Sequence, residues 1–384
     1  MALGELAHVG DADAVRAQHA AKRVQQNASN AEQFGDGARV LATRAAETDQ
    51  DVVAHVVSAG DRDFSDGRDH VLVCDLDQAD RKLLALVFLA GRRVDILDQC
   101  VEPADNVAAA AITKGVATRV RFFGTKTAQD LVQEGIRADL LIANNVLAHV
   151  PNLNDFVAGM KLVLSDDGVI TVEFPHLVRL IEGNQFDTIY QEHYCYFSFF
   201  TLERVFAAHG LTIFDVEELP THGGSLRIYA RHTADESKPV LQAAVDMRNS
   251  ELNAGYNRLE TYATFAEQVA ETKRNLLEFL IQAKRDGKQV AAYGAPGKGN
   301  TLLNYCGIRQ DFIDYAVDRN PYKHGRFLPG THIPVFSPEK IAETRPDYIL
   351  ILPWNLRDEI TRQLRYVREW GGKFVVPIPK LEVF

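Results

Sequence analysis

Along most of this chain, short apolar runs that end in polar residues alternate with longer stretches whose apolar positions recur every three or four residues. From Val71, VLVCDL reads as a buried strand, DRKLLALVFLAG as a helix, and RRVDIL or QCVEP as the next strand. Residues 106–114 and 127–134 read as helices, with a short strand between them at 118–123. ADLLIA, residues 138–143, is an apolar run apart from Asp139 and stops at Asn144 and Asn145, as a parallel strand does where it meets a ligand crevice at its carboxyl end. Residues 152–164 form an amphipathic pattern with Leu153, Phe156, Met160 and Leu164 on one face. SDDG reads as a turn, and GVITVEF as a strand ending at Glu173, Phe174, Pro175 and His176. Strands alternating with helices predict an α/β fold with a doubly wound parallel sheet.

Further on, TLERVFAAHG reads as a helix closed by Gly210, and LTIFDVEEL and SLRIYARH as two strands joined by the turn PTHGG. A parallel sheet finished by an antiparallel pair is similar to the order in class I methyltransferases. Residues 237–285 are charged and helical, with Leu252, Tyr256, Leu259, Tyr262, Phe265, Val269, Leu276 and Leu280 as the apolar positions. Their spacing drifts from strict heptads, which favours a packed connector over a coiled coil, and Asp286 and Gly287 break it. A second α/β unit follows: KQVAAYG as strand, APGKGN as turn, TLLNYCG as helix, then DFIDYAVD and PDYILILPWN as strands. The expected layout is an atypical N-terminal segment (1–70), a methyltransferase-like domain (71–236), a helical connector (237–286) and a C-terminal Rossmann-like domain (287–384). The first segment lacks Trp, Tyr and Pro; a helix at 14–27 is its one readable element, and no chemistry is assigned to it.

The 384 residues allow two or three domains with real cores. A net charge of −10 argues against nucleic acid or an acidic membrane as partner, so an anionic substrate must be held by local donors. No apolar run approaches membrane-spanning length and the N-terminus has no basic-then-apolar pattern, which points to a cytoplasmic protein. Cys74, Cys100, Cys195 and Cys306 are scattered without a CxxC pair, so neither a disulfide framework nor a metal site is expected. A monomer or weak homo-oligomer is the expected state.

Chemistry concentrates in FDTIYQEHYCYFS, residues 186–198. His193 stands there beside Glu192 and among phenols including Tyr190, the hardware for accepting a proton near neutral pH. An aromatic, hydrogen-bonded surface turn is the plain alternative for the run taken alone. In GAPGKGN, Gly294, Gly297 and Gly299 let backbone N–H groups approach a phosphate at a helix N-terminus, with Lys298 adding charge and Asn300 closing the turn. Asp318, at the end of the following strand, stands where ribose-binding acids often occur. The spacing is neither GxGxxG nor a Walker motif, so the nucleotide's identity stays open, and a tight strand-to-helix turn with no ligand is the alternative. His149, His176 and His222 each follow a strand or turn; His149 is the best candidate for the crevice, and His222 belongs to a turn.

NNVLAHVPNLNDFVAG (144–159), GVITVEFPH (168–176), QFDTIYQEHYCYFS (185–198), LPTHGGSLRIYARH (219–232) and YGAPGKGNTLLNY (293–305) together resemble the sugar C-methyltransferases. That family uses S-adenosylmethionine to methylate a nucleotide-linked 4-ketohexose. The resemblance runs from about Val101 to the C-terminus. It implies His193 as general base, Tyr190 and Glu192 as its positioning partners or the substrate's, and His149 near the same carbon. It further implies Glu102 on the cofactor's ribose hydroxyls and Asn144 and Asn145 at its methionine end. The C-terminal domain, with Gly294, Gly297, Lys298, Gly299, Asn300 and Asp318, would help hold the sugar nucleotide, and His176 is grouped with that substrate set. Two family features are missing: the four zinc cysteines, and a glycine-containing loop, where Arg81 and Lys82 stand with no glycine between Gly67 and Gly91. So abrupt a break suggests a shifted reading frame in the first hundred residues, with divergence the alternative. Two other functions stay open at this point: a degenerate methyltransferase-like binding protein, and an NAD-dependent oxidoreductase using GAPGKGN and Asp318.

Overall fold

The computed structural model describes residues 70–74 and 98–384, with the backbone alone for His70–Cys74 and Asp98. The readings at 14–27, at DRKLLALVFLAG and at Arg81 and Lys82 lie outside the described residues. What is described divides into two compact units. One holds the residues up to His176 together with Tyr194–Asn257; the other holds Leu177–His193 and Arg258–Phe384.

The first unit is built on a seven-stranded sheet: β1 (His70–Cys74), β2 (Asp98–Val101), β3 (Ala117–Arg119), β4 (Ala138–Asn144), β5 (Leu164–Pro175), β6 (Leu211–Leu219) and β7 (Ser225–His232). The order is β3-β2-β1-β4-β5-β7-β6, with β7 antiparallel to both neighbours and the other pairings parallel. The order reverses between β1 and β4, which is where open α/β sheets leave a crevice at the strands' carboxyl ends. The helices are α1 (Asp105–Thr113), α2 (Thr125–Gln133), α3 (Leu153–Val163), α5 (Phe199–Ala208) and α6 (Gln242–Asn253); α4 (Leu177–Glu182) belongs to the other unit. Leu141, Ile170, Val172 and Phe174 of the sheet and Phe156, Met160, Phe199 and Phe206 of the helices are essentially sealed from solvent in one core. Each such side chain contributes roughly 1.5–3 kcal/mol of burial.

SDDG proves to be strand rather than turn. β5 already starts at Leu164, and its pairing with β4 shifts register between Ala138 and Leu140, which leaves Asp166 and Asp167 exposed. The predicted strand at 118–123 shortens to β3 at the sheet edge.

The second unit has a six-stranded sheet: β8 (Val290–Tyr293), β9 (Tyr315–Val317), β10 (Val335–Phe336), β11 (Tyr348–Ile351), β12 (Lys373–Val376) and β13 (Glu382–Val383). The order β10-β9-β8-β11-β12-β13 runs outward three strands and returns past the first, the Rossmann pattern, with β13 antiparallel at the edge. Its later helices are α7 (Phe265–Arg285), α8 (Gly297–Cys306), α9 (Glu339–Thr344) and α10 (Arg357–Gln363). The charged stretch 237–285 is thus two helices, α6 and α7, that belong to different units. Leu259, expected to pack, lies between them and is 47% exposed, whereas Glu251 of α6 is buried. DFIDYAVD becomes strand only at Tyr315, because Phe312 and Ile313 turn back onto the Arg309 carbonyl.

One segment of the chain is inserted into this second unit. After α4, Asn184 takes a left-handed backbone (φ 50°), and its Nδ2 donates to Thr272 Oγ1 at 2.6 Å and to Gln268 O at 3.2 Å on α7. Next, a 3-10 turn, Phe186–Thr188, sets the Phe186 ring edge-on to Tyr305 of α8. The segment ends at His193.

Candidate active site

The inserted segment carries the aromatic run. His193 is half-buried, and its Nδ1 lies 2.8 Å from the Thr188 carbonyl. A carbonyl oxygen only accepts, so neutral His193 carries its proton on Nδ1 and its lone pair on Nε2. The ring of Tyr190 stacks on the imidazole at 4.4 Å with 29° between planes. Glu192 is exposed, and the Nδ1 partner is the Thr188 carbonyl rather than this adjacent carboxylate. Glu192 lies in a turn closed by His193 N–H on the Tyr190 carbonyl at 3.0 Å.

Asp187, one residue before that carbonyl, is completely buried. Its Oδ2 accepts from the Trp354 indole at 2.8 Å. Burial pushes this carboxyl up to about 6, against the opposing pull of the Lys298 charge and the Trp354 hydrogen bond. Lys298 donates to Asn355 Oδ1, and its ammonium lies 4.6 Å from the centre of the Trp354 ring. The sequence reading gave Thr188, Asp187, Trp354 and Asn355 no role. Their signals were an acid six residues ahead of the histidine and a PWN tripeptide just past β11.

The glycine-rich turn shows three distinct demands. Gly294 has φ 88°, and a Cβ there would come within 2.6 Å of Pro353 Cδ. A Cβ on Gly299 would meet Leu352 Cβ at 2.9 Å, so that glycine lets α8 pack close to the end of β11. Gly297 is different: a Cβ would meet nothing nearer than Tyr190 at 3.8 Å, so packing does not require glycine there. α8 starts at Gly297, which places Lys298, Gly299 and Asn300 in its first turn. Asp318 is already engaged. Its Oδ2 accepts from Ala295 N at 2.7 Å and Lys323 Nζ at 3.1 Å, and its Oδ1 from Asn320 N at 2.8 Å, so it clamps the turn itself.

In the first unit, Glu102 follows β2, is 2% exposed and accepts from Ala104 N at 2.7 Å through Oε1. Asn144 ends β4, and Asn145 follows it with a left-handed backbone (φ 55°). The side-chain Oδ1 atoms of both asparagines are buried without a hydrogen-bond partner among the described residues, at the carboxyl edge of a strand that flanks the switch point. His149 is half-buried in a short 3-10 turn, Leu147–His149. Across from Asn144, Glu173 accepts from Thr221 Oγ1 and Arg227 Nη2, each at 2.9 Å. His222 sits in the β6–β7 turn with φ 57°.

His176 proves to be held in the fold. It is 3% exposed, and its Nε2 donates to Glu251 Oε1 at 2.7 Å. The same carboxylate accepts from Phe199 N at 2.7 Å and Phe200 N at 2.9 Å, the first amides of α5. This buried pair caps a helix, and the bond to Glu251 holds His176 Nε2 within the fold.

A family model described as a C-methyltransferase C-terminal domain matches residues 220–379, and one described as a methyltransferase domain matches residues 67–216. The second match begins ahead of Val101, from which the resemblance to the sugar C-methyltransferases runs. The C-methyltransferase NovU of Streptomyces niveus is 37% identical over 283 residues, which cover 74% of this chain and 67% of that protein. Among solved structures, the CurJ carbon methyltransferase shares 13% identity over 45% of this chain and 50% of its own, with a TM-score of 0.33. The magnesium protoporphyrin IX methyltransferase of Synechocystis PCC 6803 shares 14% over 35% and 59%, with a TM-score of 0.26. Scores this low add nothing to what the strand order already establishes.

Proposed function

The chain belongs to the S-adenosylmethionine-dependent C-methyltransferase family, and from that premise we propose that it methylates the carbon beside the ketone of a nucleotide-linked 4-ketohexose, with His193 as general base. The observation that carries this reading is the Nδ1–H of His193 held on the Thr188 carbonyl, which fixes the tautomer a base requires.

The first unit fits the cofactor. A buried acid after β2 suits ribose hydroxyls, and two buried amide oxygens without partners, beside the switch point, suit a ligand rich in donors. Glu102, Asn144 and Asn145 would hold it. When bound, S-adenosylmethionine supplies an electrophilic methyl group, which is taken up by the carbon that has lost its proton.

This chain's own residues prepare that carbon. Its proton is acidic only because the adjacent ketone accepts the charge, so a base and an oxyanion donor must act together. His193 takes the proton at Nε2, and the resulting imidazolium keeps its Nδ1–H on Thr188. The Tyr190 phenol, stacked on the same ring, is the candidate donor to the oxyanion. Glu192 is exposed and suits substrate contact better than orientation of the base.

Support for a nucleotide-sugar substrate comes from the N-terminus of α8. Gly297 keeps that end bare where packing does not require it, and Lys298 stands beside it. Gly294, Gly299 and Asp318 shape the turn, and Asn300 lies in the first turn of the helix. No described helix is long and apolar enough to cross a membrane. Incubating the purified protein with S-adenosylmethionine and a nucleotide-linked 4-ketohexose should give a product heavier by one CH2, with a new C–CH3 signal next to the carbonyl. Methyl transfer to oxygen, or no transfer to any such sugar, would overturn the substrate class.

A further inference from the structure

We propose that Asp187 is a positioning residue for His193, acting through the Thr188 carbonyl that it holds in place. The inference rests on the reading of His193 as base. Asp187 and Thr188 are consecutive in one 3-10 turn. The Asp187 side chain runs into the protein to Trp354, while the next carbonyl points to His193 Nδ1. Rotation of that turn would move the carbonyl that accepts from Nδ1.

The far end of the link is fixed as well. Trp354 begins a short 3-10 turn, Trp354–Leu356, after β11, and Lys298 of α8 lies over its ring while donating to Asn355 of the same turn. Thr188 is braced locally, its N–H and Oγ1 both donating to the Gln185 carbonyl, at 3.1 and 2.7 Å. Closing a 3-10 turn needs no buried acid, since backbone bonds of this kind suffice. A carboxylic acid sealed from water costs stability, so its presence at the residue before the orienting carbonyl calls for a purpose. Complete burial keeps Asp187 itself from the substrate, and the turn it shares with Thr188 links it directly to His193.

The test is nitrogen NMR of 15N-histidine-labelled protein, which reports which ring nitrogen of His193 carries the proton, combined with steady-state kinetics. In Asp187→Ala the ring should become a mixture of tautomers, and kcat should fall about a hundred-fold, as misplacement by about an ångström does, with KM for the sugar nucleotide unchanged. Asp187→Asn keeps an acceptor for the indole and should recover most of that loss. Trp354→Phe should lower kcat in the same way, and combining it with Asp187→Ala should add little. If Asp187→Ala does not fold, Trp354→Phe carries the same criteria. Retention of wild-type kcat, or a kcat loss with the His193 tautomer unchanged, would overturn the proposal. The tautomer readout needs no turnover. If His193→Ala proved active, the base reading would fall, while the NMR would still decide whether Asp187 sets the ring.

Discussion

His193 donates its Nδ1–H to the backbone carbonyl of Thr188 at 2.8 Å, five residues back in the same segment. A backbone acceptor cannot be protonated at ordinary pH, so it holds the imidazole in one tautomer throughout the working range. A carboxylate in the same place would stabilise the imidazolium more strongly and raise its pKa. The arrangement favours a base that releases its proton again after each turnover.

Asp187 should weaken the fold at neutral pH. Its carboxyl sits at about 6 against an ordinary 3.8, so the folded protein holds that proton more tightly than the unfolded chain. The stability tied to the protonated form is complete below 3.8 and lost as pH rises through about 6, a difference on the order of 3 kcal/mol. Asp187→Asn should therefore unfold at higher urea than wild type at about pH 8, and the two should converge at about pH 4. Equal midpoints at the higher pH would contradict the assignment.

Glu251→Ala should destabilise the first unit by about 3 kcal/mol, because His176 and two α5 amides lose a buried acceptor. Glu251→Gln should cost less, since its carbonyl oxygen retains one of those bonds. Calorimetric melting checks both, and an unchanged midpoint for Glu251→Ala would show that water replaces the carboxylate.

Glycines 297 and 299 should respond oppositely to alanine. Gly299→Ala puts a Cβ 2.9 Å from Leu352 Cβ and should lower the melting temperature. Gly297→Ala meets only Tyr190 at 3.8 Å and improves helix propensity, so stability should hold or rise by about 1 kcal/mol. Its KM for the sugar nucleotide should nevertheless increase. An unchanged KM would remove the α8 N-terminus from the substrate site.

Asn144→Ala should weaken S-adenosylmethionine binding about ten-fold, the effect of one lost hydrogen bond, without altering the melting temperature of the free protein. Isothermal titration decides it, and wild-type affinity would exclude Asn144 as a ligand.

The sheet was legible at its central strands. ADLLIA and GVITVEF are mostly apolar, as strands inside the sheet are, and the antiparallel pair β6–β7 showed through its short turn. Edges were not legible: β3 and β10 are two or three residues long and have too few side chains to make a pattern. The long charged stretch misled because Glu251 is buried by its hydrogen bonds, which hydropathy does not register, while Leu259 is left outside. At the candidate site the sequence marked His193 and Tyr190 and offered Glu192 as a partner of the base or of the substrate. The acceptor on His193 Nδ1 is a main-chain atom, which no residue type announces, and the indole that binds neighbouring Asp187 comes from Trp354, 167 positions along the chain.

Removal by His193 of a proton from the carbon beside the ketone can be followed as deuterium uptake at that carbon in D2O, with the nucleotide-linked 4-ketohexose and S-adenosylhomocysteine in place of the methyl donor. Wild type should exchange the proton, and His193→Ala should do so at least about a hundred-fold more slowly while still binding the sugar nucleotide. Exchange at the wild-type rate in His193→Ala would show that another group is the base.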